Sequence, residues 1–66
     1  MEYTHLTVDM RLVVGDVLRL KTDHNSKFDI TNTKDLYWVT KRPFNGRVYK
    51  ERPLYLNTFK YYEILK

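Results

Sequence analysis

Hydrophobic residues recur every second position through most of this chain, and nowhere do they keep a helical spacing for long. That periodicity restricts the fold more than any other feature, because a two-residue repeat places one face of a strand inward and the other in water. From Tyr3 to Met10, Leu6, Val8 and Met10 alternate with Tyr3, His5, Thr7 and Asp9, which predicts a half-buried strand. Arg11-Leu12-Val13-Val14 is followed by Gly15-Asp16, a turn pair. Val17 to Lys21 predicts a second strand with Leu18 and Leu20 inward, and Phe28-Asp29-Ile30 a short third one. Polar stretches at Asp23–Lys27 and Thr31–Asp35 read as loops. Tyr61 to Leu65 predicts the closing strand, preceded by one helical turn at Asn57-Thr58-Phe59-Lys60 with Asn57 as its cap.

The sharpest local signal is Asn45-Gly46 between the strand-like runs Leu36–Phe44 and Arg47–Arg52. A type I′ hairpin turn needs positive φ at both central residues, which Asn and Gly tolerate best. Pro43 cannot donate to a ladder, so its strand is expected at an edge or bulged, and Pro53 is expected to end the next strand.

The expected fold is therefore all-β: a small SH3-like barrel or strongly bent antiparallel sheet of about five strands, with at most one short helical turn. Val14-Gly15-Asp16-Val17-Leu18-Arg19-Leu20 resembles the opening of SH3-like, KOW-type barrels, where a Gly-Asp turn leads into an alternating strand. Tyr61-Tyr62-Glu63-Ile64-Leu65 after a short turn resembles their closing strand. The resemblance implies a fold and no particular function, because such barrels host many.

Sixty-six residues predict one domain, residues 1–66. A core of this size leaves only about 3–5 kcal/mol of net stability. With no cysteine, no disulfide or thiolate-bound metal supplements it. Six tyrosines are more than one small core readily buries, since each buried hydroxyl needs a partner, so some are expected at the surface. No apolar run reaches the ~20 residues of a membrane span, and the start lacks a signal-peptide pattern. The expectation is a cytoplasmic protein without membrane contact, monomeric or a weak homodimer, and a complete short gene product of the kind phages encode to modulate host proteins.

Catalytic chemistry is not expected. Ser26 near His24 lacks an orienting acid in the sequence, and His5 and His24 lack metal-ligand spacing, so both are expected to face solvent. Asp9, Asp16, Asp23, Asp29 and Asp35 read as turn punctuation. Neither metal, cofactor nor small-molecule substrate is expected.

Charge is lopsided. Residues 1–40 carry five Lys/Arg against six Asp/Glu, whereas residues 41–66 carry seven against two. The excess concentrates in Lys41, Arg42, Arg47, Lys50 and Arg52, interleaved with Phe44 and Tyr49. A regular hairpin would place Trp38, Thr40, Arg42 and Phe44 on one face with Arg47, Tyr49 and Glu51, and Lys41, Lys50 and Arg52 on the other with Val39 and Val48. Cations among rings suit nucleic acid, because Lys and Arg neutralise phosphates and rings stack on bases. The same residue types suit a protein interface. The expected function is a non-catalytic binding module that takes nucleic acid through this basic, aromatic hairpin. The alternative is an inhibitor or modulator of a larger protein with an acidic surface.

Overall fold

The computed structural model describes residues 2–66. All six strands join in one antiparallel sheet: β1 (Tyr3–His5), β2 (Val17–Leu20), β3 (Lys27–Asn32), β4 (Tyr37–Lys41), β5 (Arg52–Leu54) and β6 (Tyr62–Leu65), in the order β1-β6-β2-β3-β4-β5. A 3-10 helix, Leu56–Tyr61, connects β5 to β6. The fold is thus all-β as the alternation predicts, with one strand more than about five.

A single sheet has to bend to enclose its own core. Leu18 of β2, Phe28 and Ile30 of β3, Val39 of β4, Leu54 of β5, and Tyr62 and Ile64 of β6 all meet in one cluster, closed by Leu6, Leu12 and Phe59. Phe28 meets Tyr62 edge-to-face at 5.5 Å between ring centroids, and Tyr37 lies 6.1 Å from Phe59. Full burial of such a side chain contributes about 1.5–3 kcal/mol, so these few residues hold most of the driving force. Among the described residues no helix is long and apolar enough to cross a membrane.

Several local expectations are corrected. The predicted strand Tyr3–Met10 stops at His5, with Leu6 N donating once more to Tyr62 O before a Thr7–Met10 turn bends the chain away. Leu6 is buried, but Val8 is turned out. Asn57 is not the helix cap. Tyr55 occupies that position without a side-chain hydrogen bond, and the Thr58 hydroxyl donates to the Tyr55 carbonyl. Pro53 does not end a strand: it sits in the middle of β5, opposite Trp38. β5 is an edge of the sheet, where a residue without an N–H is tolerated. β4, by contrast, is interior, and Pro43 lies beyond its end. A register shift between Ile30 and Asn32 leaves Thr31 without a cross-strand partner.

Four of the five aspartates do punctuate turns. Asp9 and Asp23 sit in loops, Asp16 accepts from Val13 N at 3.0 Å, and Asp35 adopts φ 58°. Asp29 instead lies within β3 and pairs with Arg42.

Candidate nucleic-acid interface

Between β4 and β5 the chain runs out as a tongue, residues 42–51. Its tip is the turn the sequence predicts: Asn45 and Gly46 have φ of 52° and 77°, and Arg47 N donates to Phe44 O at 3.0 Å. The predicted ladder below the tip does not form. Phe44 and Arg47 make one isolated bridge, and no strand begins before Arg52. Pro43 removes a donor on one side, and Val48, 85% exposed, has no core to face on the other.

The regular division into two faces fails for the same reason. Tyr49 lies against Lys41, whose Nζ is 4.9 Å from the ring centroid, rather than beside Arg42. Arg42 turns back onto the sheet, its guanidinium 2.9 Å from Asp29. This hydrogen bond holds the Arg42 proton more tightly than usual. Glu51, the one acid of the tongue, accepts from the Thr31 hydroxyl. Arg52 stands at the root of the tongue, 5.6 Å over the Phe28 ring. Trp38 is half-buried outside the core cluster, and Phe44 is 58% exposed.

The cations therefore divide into two groups. Arg19 bonds Glu63 at 2.8 Å and also covers the Tyr3 ring at 3.9 Å, while Lys66 reaches Asp16 at 3.4 Å. Arg42 belongs with these paired residues. Among the described residues Lys41, Arg47, Lys50 and Arg52 form no salt bridge. Among other cations without a salt bridge, Lys60 also lies over a ring, with Nζ 5.3 Å from the centroid of the exposed Tyr61. The tongue thus carries Arg47 and Lys50 without a salt bridge, and the strand ends at its root add Lys41, against Tyr49, and Arg52, against Phe28.

The remaining polar residues serve the scaffold. The Ser26 hydroxyl donates to Asp23 at 2.7 Å, and this bond, with Asn25 N on the same carboxylate, holds Asp23 below the usual carboxylate range. His24 faces Glu63 instead, with Nε2 at 3.5 Å. His5 lies across from Glu63 in the β1–β6 register, and both histidines are exposed. The Arg19 hydrogen bond holds Glu63 below its ordinary range.

Two grooves had no counterpart in the sequence reading. The larger, of about 710 Å³, lies at the far end of β4 and β5 from the tongue, walled by Val8, Leu36, Tyr55 and Leu56, with Arg11 and Asp35 also in its lining. The smaller, of about 410 Å³, lies between β5 and the 3-10 helix. The larger takes its walls from three separate segments, 8–12, 33–37 and 54–57, and the smaller joins Val39 of β4 to residues 52–62, so no local pattern announces them.

Fold and tongue together define a small all-β module with a projecting loop whose Arg47 and Lys50 form no salt bridge among the described residues. No family model, curated protein or solved structure matches this chain.

Proposed function

We propose that this protein is a non-catalytic nucleic-acid-binding module that contacts the phosphate backbone through its tongue. The reading is carried by one observation: Lys41, Arg47, Lys50 and Arg52, on the tongue and at its root, form no salt bridge among the described residues, and Phe44, bridged to Arg47, is exposed. Open cations release condensed counterions when they meet phosphate, and an exposed ring adds stacking. With four phosphate contacts, raising salt from about 50 to 200 mM should weaken binding roughly 50-fold on a single strand and 150-fold on a duplex. Fluorescence anisotropy of a labelled oligonucleotide across that range is the test. Salt-independent affinity, or none, removes the reading.

A second reading, a modulator of a larger protein, is favoured by the 710 Å³ groove. Val8, Leu36, Tyr55 and Leu56 expose much apolar surface around it. Apolar patches of this kind suit protein contacts, and such binding would respond weakly to salt. The first reading is preferred because a partner of the tongue must answer the like charges of Arg47 and Lys50, with Lys41 and Arg52 at its root.

A further inference from the structure

The cation at the root of the tongue has a double position. Arg52 is also the first residue of edge strand β5, and there it lines the 410 Å³ groove. Val39, Leu54 and Tyr62, all buried core residues, form the floor. Pro53, Thr58 and the Tyr55 ring, which is 56% exposed, complete the lining. No carboxylate is among these residues. The site thus joins an apolar floor, an exposed aromatic ring and a guanidinium without an acid partner.

We infer that this groove seats one unstacked base of a single-stranded nucleic acid, with Tyr55 against the base and Arg52 on the adjoining phosphate; the inference rests on the nucleic-acid reading of the tongue. Three observations favour this occupant. The volume lies at the lower end of small-ligand sites, enough for one nucleoside and too little for a duplex. Arg52 lines the groove and follows the tongue directly in the chain, two residues after Lys50, so a backbone neutralised by the tongue meets the groove's own cation next. A peptide adding as a further strand to β5 would meet Pro53 at its centre, which has no N–H to give. A duplex keeps its bases stacked inside and offers the groove nothing without first being opened. Single strands present bases directly, and aromatic platforms with arginine are how proteins take them.

The test uses the full chain and fluorescein-labelled oligothymidylate of about 12 nucleotides, beside a duplex of equal length and an acidic peptide. Tyr55→Ala removes an exposed ring, and circular dichroism verifies that the sheet persists. Tyr55→Phe keeps the ring. The expected result is single-strand affinity at least about tenfold above duplex. Tyr55→Ala should then lower single-strand affinity about 5- to 150-fold, the range for one stacked base, while Tyr55→Phe and duplex binding stay near the parent. Suppose instead that duplex binds as tightly as single strand, that Tyr55→Ala changes neither, and that Arg47→Glu still weakens both. The groove inference is then wrong and the tongue reading stands. Binding of the acidic peptide alone, or of nothing, overturns both.

Discussion

The sheet and the tongue are built from similar residue types and behave as opposites. In the sheet, alternation works because every inward residue finds others: Ile30 and Val39 face each other across β3 and β4, and both are buried. In the tongue the alternation continues in the sequence, but Val48 and Phe44 have nothing behind them. The backbone there keeps one isolated bridge and a turn. Backbone hydrogen bonds contribute little net stability by themselves, so a hairpin without a buried face does not extend. Charge divides less cleanly. Arg19 on β2 and Arg42 at the start of the tongue pair with carboxylates, whereas among the described residues Arg47 and Lys50 on the tongue and Lys27, Lys41 and Arg52 on the strands form no salt bridge. The sheet's inward side chains hold the fold, while Phe44, Arg47, Val48 and Lys50 of the tongue stay exposed.

This division can be broken most severely in the core. Phe28→Ala removes a ring that touches Tyr62 and lies under Arg52. The loss should be about 3–5 kcal/mol, comparable to the whole stability of a domain this small. Urea denaturation should find the variant largely unfolded without denaturant, and a parent-like midpoint would show that the core is not where the sheet closes.

The tongue should respond in binding and hardly at all in stability. Arg47→Glu with Lys50→Glu should lower oligonucleotide affinity by at least about tenfold while the unfolding free energy moves less than about 0.5 kcal/mol. Arg42 is the wrong residue for this purpose, because Arg42→Glu would place a second carboxylate beside Asp29. Reversing Arg19 and Lys21 should reverse the pattern, with a larger loss of stability and a smaller loss of affinity. Equal effects from both pairs would erase the distinction between the regions.

Gly46→Val lies between these cases. Its φ of 77° disfavours a β-branched residue, although a Cβ there would meet nothing within 4 Å. The strain of about 1–3 kcal/mol should be relieved by opening the tongue rather than the sheet. Hydrogen exchange should then quicken at Arg47 N and remain unchanged at the ladder amides of β3.

The smallest effect concerns pH. Glu63 has a depressed folded value, chiefly through its hydrogen bond from Arg19. Its contribution is fully present above about 4.3, the ordinary glutamate value, and is lost as pH falls through the lower folded value. Glu63→Gln should flatten that part of the acid limb in chemical denaturation. An unchanged acid limb would place the dependence on other carboxylates, Asp23 foremost, since Ser26 holds it low as well.

Alternation was legible wherever a strand lies in the middle of the sheet: Leu18, Phe28 and Ile30 are inward as the period requires. It misled at Val8, because Thr7 and Met10 close a turn that a period-two pattern does not register. Asn45-Gly46 announced its own dihedrals correctly and said nothing about the length of ladder below it. Turn geometry is local, whereas a ladder needs a partner surface supplied by the rest of the chain. The basic cluster was equally visible, but which of its members are free was not. Asp29 is thirteen residues from Arg42, and only the pairing of β3 with β4 brings them together. Both grooves escaped because each needs strands brought together by the sheet, with Leu54 and Tyr55 lining the two of them.

The position of β6 bears on how the molecule reaches this state. Although latest in the chain, Tyr62–Leu65 is an interior strand, flanked by β1 on one side and β2 on the other. Its Ile64 is completely buried. During synthesis the ribosome therefore has to release these residues before the sheet can be finished, and until then β1 has no neighbour to pair with. Folding waits on the longest-range contacts in the chain, a topology associated with slow formation. A nascent chain arrested before Tyr62 would leave the Leu18 and Phe28 side chains uncovered and open to chaperones.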